Sequence, residues 1–343
     1  MKNKDLYNQK NKKELLKNLN NESFSRVTLS FYKYIKLNSI ESLRNDLFLE
    51  WSKLNILGRI YLAAEGINAQ ISIPEHNLKL FKNSINNNQL FKNVKLKFAI
   101  QEGISFLKLT IKVKDEIVAY KISDDEYDIN KVGKHLNYLE YNNAIDEGAT
   151  IVDMRNYYEG EVGKFEGAII PDVDTSMELL PEVKKILKGQ ENKKILLYCT
   201  GGIRCEKASS YLIHHGFKDV NQLKGGIIQY AHDIKKNNIK SKFIGKNFVF
   251  DHRLGERVTK NIISNCHQCN KSSDNHTNCI NQACHILFIQ CEECSKKYNN
   301  CCSKKCTEFI QLPKEEQKRI FKDGKIKFTA QKSSRVKPKL YDI

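Results

Sequence analysis

Two sets of cysteines in this 343-residue chain have spacings that suit chemistry. Cys199 and Cys205 lie in LLYCTGGIRCEKAS, residues 196–209, where an apolar run ends in a thiol, two glycines and an arginine. The other nine fall between Cys266 and Cys306. In the first set, an apolar run that stops at a Gly-rich turn predicts a strand ending at Cys199. Thr200, Gly201, Gly202 and Ile203 then curl so that backbone N–H groups point at one centre, with glycine supplying angles other residues resist. A helix opening near Arg204 turns its positive end toward the sulfur, and Arg204 adds a fixed charge. A sulfur anion is stabilised in such a cradle, so the pattern predicts a thiol of lowered pKa and sulfur-based nucleophilic chemistry.

The second set is made of pairs: Cys266-x-x-Cys269, Cys279-x4-Cys284, Cys291-x-x-Cys294, and Cys301/Cys302 with Cys306, of which Cys302 is the expected ligand. Short Cys-x-x-Cys knuckles in a chain expected to be cytosolic predict zinc, which takes four soft ligands in a tetrahedron. Four pairs predict two structural ions. Cross-bracing joins the first pair with the third and the second with the fourth; sequential pairing is the alternative. His267, His276 and His285 are possible substitutes for a thiolate.

Composition bounds the setting of both sites. With 57 basic and 40 acidic residues the formal charge is +17, which suits a polyanionic partner, nucleic acid first. The N-terminal MKNKDLYNQKNKKELLKNLNNESFS has no apolar signal region. No stretch approaches the roughly 18 apolar residues of a membrane span. A cytoplasmic protein with reduced thiols is therefore expected.

The elements that must position these residues divide the chain into four parts. Residues 1–22 read as a polar tail or a frayed helix. Residues 23–122 alternate as β-α-β-β-α-β, with RVTLSFYKYI, GRIYLAAEGINAQISI and VKLKFAI as strand material, and predict a ferredoxin-like α+β domain. Residues 131–238 alternate short apolar runs, TIVDMR and KKILLYC, with amphipathic stretches, and predict an α/β parallel sheet covered on both faces. The site of such a sheet lies beyond the C-terminal ends of its strands, where Cys199 falls. Residues 239–343 are Cys-rich and then basic, a module that needs metal to fold.

The motifs resemble a known family. Cys199-Thr-Gly-Gly-Ile-Arg204 resembles the rhodanese active-site pattern Cys-x-x-Gly-x-Arg, VDMRNYYEGEVGKFEGAI resembles the upstream rhodanese motif, and FKDVNQLKGGIIQYA the closing Gly-Gly motif. Related cysteine phosphatases place five residues between Cys and Arg; here there are four, a loop sized for sulfur. From about Ser25 to Cys306, these motifs together with GRIYLAAEGINAQIS and the cysteine pairs resemble the bacterial tRNA uridine hydroxylases. That resemblance implies oxygen-dependent hydroxylation of C5 of the wobble uridine, position 34, with dioxygen as co-substrate and the tRNA anticodon loop as partner. It implies that Cys199 is the reactive, persulfide-bearing position. Cys205 either resolves a sulfur intermediate or fills space. Asp153 and Arg155 are expected to line the same crevice or to brace the loop. Lys164 stands where many rhodaneses carry His. Neither a flavin or haem motif nor an iron triad is visible in the sequence. A persulfide sulfurtransferase acting on tRNA or a protein acceptor is the alternative reading. A zinc-stabilised RNA-binding protein is a third, and the intact Cys199 and Arg204 argue against it.

Overall fold

The computed structural model describes residue 6 and residues 10–173 and 175–323. Residues 324–343, the end of the expected basic tail, lie outside the described residues, as do most of the first nine. Within the expected polar tail, α1 (Lys12–Asn20) forms behind Asn11, whose side chain accepts from the Glu14 N–H at 3.0 Å.

The first unit runs β1 (Arg26–Tyr34), α2 (Ile40–Lys53), β2 (Leu57–Ala63), β3 (Gly66–Pro74), α3 (Leu78–Asn87) and β4 (Lys97–Phe98). Its sheet has the order β4-β1-β3-β2, with β5 (Leu109–Val113) added parallel to β2. Strand alternation sorts the side chains. Leu29, Phe31, Ile60, Ile67, Ala69 and Ile71 face the helices and pack with Trp51 and Phe81. The opposite face carries Tyr32, Arg59, Asn68 and Gln70. VKLKFAI pairs with β1 over two residues only. The Glu102 carboxylate takes the Thr28 N–H at 3.2 Å, so a side chain replaces the strand partner there. Past β5 the chain leaves the sheet, and Val118 and Tyr120 enter the core of the second unit.

That unit contains β6 (Lys134–Leu136), α4 (Tyr138–Asp146), β7 (Thr150–Asp153), α5 (Tyr157–Val162), β8 (Gly163–Phe165), α6 (Ser176–Ile186), β9 (Lys194–Tyr198), α7 (Ile203–His214), β10 (Asp219–Leu223) and α8 (Gly226–Lys236). The parallel sheet is ordered β6-β10-β9-β7. α6 and α7 cover one face with Leu179, Leu180, Val183 and Leu212; α4 and α8 cover the other with Tyr141, Ile227, Tyr230 and Ile234. β9 is central and buried from Ile195 to Tyr198, which fixes where the chain emerges at Cys199.

β11 (Phe243–Asn247) runs antiparallel to β8, and β12 (Glu256–Arg257) pairs with β11, so a three-stranded sheet joins the second unit to the third. The third unit adds the paired strands β13 (His276–Asn278) and β14 (Leu287–Ile289), then α9 (Glu292–Lys297), α10 (Lys304–Gln311) and α11 (Lys314–Asp323). Its buried interior is largely cysteine, with Ile286, Phe288 and Phe309 among few apolar side chains. Among the described residues, no helix is long and apolar enough to cross a membrane.

Candidate active site

Cys199 follows β9 and is fully buried. The Gly202 N–H donates to its Sγ at 3.1 Å. Gly202 has φ of 100°, and a Cβ there would stand 3.0 Å from the Tyr32 hydroxyl, so both backbone angle and space call for glycine. The loop is clamped from α8: Ile227 and Ile228 N–H groups donate to the carbonyls of Cys199 and Thr200 at 3.0 and 3.1 Å. Gly226, with φ of 68°, leaves room for that approach, since an added Cβ would lie 2.6 Å from either carbonyl. The closing Gly-Gly motif thus supports the sulfur loop.

Burial by itself raises the Cys199 pKa. A hydrogen bond from Cys205, the charge of Arg204 and the N–H groups of Gly202 and Arg204 outweigh it and bring the thiol down to about 6. Cys205 is its counterpart: burial, and the anion beside it, hold its thiol well above the ordinary value, so it stays a neutral donor. Arg204 reaches Glu159 with both terminal nitrogens, at 2.6 and 2.9 Å, and Thr200 Oγ1 at 3.2 Å. The arginine therefore ties the loop to α5 as well as lending it charge.

Glu159 was not singled out by sequence reasoning. A signal existed: Asn156 and Glu159 have capping-box spacing, and the Glu159 carboxylate accepts the Asn156 N–H at 2.9 Å. One fully buried carboxylate starts α5 and anchors Arg204 at the same time.

Asp153 and Arg155 are brought together, but away from the crevice. Arg155 Nε and Nη2 donate to the Asp153 carboxylate at 2.9 and 2.7 Å, and Nη2 also donates to the Gly163 carbonyl at 2.6 Å. The Tyr198 hydroxyl donates to Asp153 Oδ2 at 2.8 Å. The expectation that this pair lines the crevice is corrected: it braces β7, β8 and the residue before Cys199 from within the core. Lys164 lies in β8, opposite Ile244 of β11.

The crevice itself is a cavity of about 350 Å³ between all three units, within the ~300–1,000 Å³ range of small-ligand sites. The polar face of the first sheet supplies Tyr32, Arg59, Asn68, Gln70 and, from β4, Lys97; the sulfur loop supplies Cys199 to Gly201, Ile203 and Arg204; the segment after β11 supplies Phe250 and Arg253. Docking is polar and specific. Tyr32 donates to Glu206 at 2.8 Å, Tyr34 to the Ile203 carbonyl at 3.3 Å, and Lys207 bridges Glu65 and Glu116 at 2.8 and 2.9 Å.

The cysteine pairs are cross-braced. Cys266, Cys269, Cys291 and Cys294 form one group; Cys279, Cys284, Cys302 and Cys306 form the other, with all sulfurs of a group within 4.8 Å of one another. The contacts Cys269–Cys291 at 3.5 Å, Cys284–Cys302 at 3.7 Å and Cys302–Cys306 at 3.7 Å fit the edge of a tetrahedron, about 3.8 Å for zinc–sulfur bonds of about 2.3 Å. Knuckle N–H groups serve the sulfurs: Cys302 N–H donates to Cys279 at 3.4 Å and Cys294 N–H to Cys291 at 3.5 Å. Cys301 belongs to neither group. The histidines do not substitute. His267 pairs with Glu161 at 2.8 Å, and His276 is buried among Tyr158 and Phe248, its pKa pushed down to about 3 by burial and then by His267 and Lys246.

A parallel sheet ending in a cradled thiol defines a protein of the rhodanese class. Residues 138–233 match the rhodanese-like domain, residues 26–117 the UPF0176 acylphosphatase like domain, and residues 244–307 the rhodanase C-terminal family. Over 344 aligned residues the chain is 49% identical to a tRNA uridine(34) hydroxylase of Leptospira interrogans serogroup Icterohaemorrhagiae serovar Lai, covering 100% of this chain and 94% of the relative. A tRNA uridine(34) hydroxylase of Photorhabdus laumondii is 46% identical over 316 residues, covering 91% of this chain and 90% of its own. The chain belongs to the tRNA uridine(34) hydroxylase family.

Proposed function

We infer that this protein hydroxylates C5 of the wobble uridine, position 34, of tRNA, with dioxygen as co-substrate and Cys199 as the reacting group. The observation that carries the reading is the ionisable Cys199 at the wall of a base-sized cavity in a chain so similar, end to end, to named hydroxylases. The substrate is the anticodon loop, whose wobble base can be splayed out of its stack at modest cost. The reaction belongs in the cytoplasm, where tRNA is.

C5 of uracil is a poor nucleophile until something adds at C6. The Cys199 thiolate adds there, and the electron pair displaced from the C5–C6 double bond makes C5 rich enough to bond one atom of dioxygen. An external two-electron reductant carries the other atom to water, and loss of the C5 proton with departure of the sulfur restores the double bond. The loop N–H groups and Arg204 keep the sulfur ionised before attack and stabilise it as it leaves. Cys205 donates to that anion. Asp153 and Arg155 act as positioning residues beneath the loop. The two cysteine groups fit zinc; when bound, the ions supply folding energy to the third unit rather than chemistry.

Wobble nucleosides from a deletion strain, complemented with wild type or Cys199→Ser, test the reading by mass spectrometry. Wild type should restore 5-hydroxyuridine with label from ¹⁸O₂, and Cys199→Ser should not. Full hydroxylation by Cys199→Ser refutes the role of the thiol. A cradled thiolate also suits persulfide transfer; sulfur entering the base in place of labelled oxygen would establish that reading instead.

A further inference from the structure

Among the described residues, four cations stand on the cavity wall, and three are committed. Arg204 is held by Glu159, Arg253 by Asp251 and Glu256, and Arg59 donates to the Phe250 carbonyl at 3.2 Å. Lys97 is the exception. It is 8% exposed, lines the cavity, and has no hydrogen bond or ion pair among the described residues. Its ammonium rests 4.2 Å from the centroid of the Tyr32 ring. The Tyr32 hydroxyl donates to Glu206, and it is the ring face that meets the lysine. Burial pushes the Lys97 pKa down to about 8, while the negative charges of Cys199 and Glu206 pull it back up. At neutral pH the side chain is still mostly an ammonium, with three donors and no acceptor.

The Lys97 stem is buried, but its ammonium opens onto the cavity, where an acceptor on a bound base can take the place of water. The reaction inferred above generates one. When sulfur bonds to C6, the electron pair of the C5–C6 double bond moves into the C4–C5 position, and the C4 carbonyl becomes an enolate with its charge on O4. The N–H groups of Gly202 and Arg204 are occupied with the sulfur. We propose that Lys97 is a further catalytic residue, the donor that holds O4 of the wobble uracil and stabilises the enolate formed as Cys199 adds to C6. The proposal rests on the Cys199-addition reading. No external reagent enters this step: the sulfur lone pair forms the new bond, the displaced pair resides on O4 and C5, and the Lys97 proton is shared with O4. Collapse of the enolate expels the sulfur and restores the base.

The step can be isolated from oxygen chemistry. Without dioxygen, the enolate can take a deuteron from D₂O at C5, lose the original proton and release the sulfur, so C5 exchanges its hydrogen. Full-length protein and tRNA are incubated anaerobically in D₂O, and deuterium at uridine 34 is read by mass spectrometry; aerobic hydroxylation is measured in parallel. Wild type should exchange, and Cys199→Ser should not. Removal of one oxyanion donor typically costs ~10²–10³ in rate. Lys97→Met should therefore exchange and hydroxylate about 100-fold more slowly in kcat, with KM for tRNA and alkylation of Cys199 within about threefold of wild type. Lys97→Arg should recover at least a tenth of the lost rate. Exchange by Lys97→Met within threefold of wild type overturns the role of Lys97 and leaves the addition step standing. Equal loss in both variants, accompanied by loss of normal Cys199 alkylation, also overturns it by making Lys97 a packing residue. Wild type that hydroxylates but never exchanges removes the addition step itself, and the proposal falls with it.

Discussion

Replacing Cys205 by alanine should make Cys199 a weaker acid without touching its loop. The two buried thiols act on one another, Cys205 as the neutral donor that draws the Cys199 pKa down. A hydrogen bond to a charged group contributes ~1.5–3 kcal/mol, and one pKa unit is about 1.36 kcal/mol, so loss of the donor should raise the Cys199 pKa by about one to two units. From about 6 the midpoint moves to about 7–8. At pH 6 the wild-type sulfur is about half thiolate; the variant is about a tenth to a hundredth. Iodoacetamide should then modify Cys199 about 5–50-fold more slowly at pH 6, while rates above pH 9 converge, because thiolate is lost as pH falls through the pKa. Cys205→Ser keeps a donor and should retain most of the wild-type profile. Peptide mapping assigns the modified site. A wild-type midpoint near the ordinary thiol value, or an alanine variant that still titrates at about 6, would refute the account of how the loop makes its anion.

Purified without chelator, the protein should hold two zinc ions per chain by elemental analysis, and Cys279→Ser should hold about one; native alkylation of all eight clustered cysteines would exclude both sites. Asp153→Asn leaves Arg155 buried without its counter-charge, which should lower unfolding free energy by ~3–5 kcal/mol in a urea titration; unchanged stability with lost hydroxylation would instead make Asp153 catalytic. Gly226→Ala places a Cβ against the carbonyls that anchor the sulfur loop, and should move the Cys199 alkylation midpoint upward in the same assay. tRNA affinity measured across a salt series should fall steeply as counterions are released; a flat profile would exclude a phosphate-dominated interface.

What sequence revealed and what it hid follow from the range of the forces involved. β9, the Cys199 loop and α7 depend on neighbours along the chain, so apolar run, glycine pair and helix could be read directly. The cysteine spacing gave the knuckles but not their pairing. That is fixed by the β13–β14 pair and by the His267 N–H, which donates to the Ile289 carbonyl at 2.9 Å and sets the first knuckle beside the third. Lys97 and Tyr32 were invisible as site residues because they belong to a different sheet and reach the thiol only through docking. Asp153 and Arg155 were legible as a pair, but residue type cannot tell a brace from a reagent. That distinction needed the Gly163 and Tyr198 contacts. VKLKFAI read longer than it is because strand propensity says nothing of a glutamate that caps the pairing.

The strand pairing between β8 and β11 sets how this protein can be handled in pieces. A fragment cut at residues 131–238, where the sequence changes character, would leave β8 with a bare row of N–H and C=O groups along the edge that β11 covers. It would also strip the cavity of Phe250 and Arg253 on one side and of the Tyr32 sheet face on the other. Such a fragment would be sticky, and its thiol would face water instead of a shaped hollow. Transplanting the cysteine loop alone onto another scaffold would leave behind the α8 clamp and the Cys205 donor that make the sulfur acidic, and the cavity walls with them. The unit of inheritance for the activity is the whole three-part chain, and shuffling its parts among relatives should succeed only when β8 and β11 travel together.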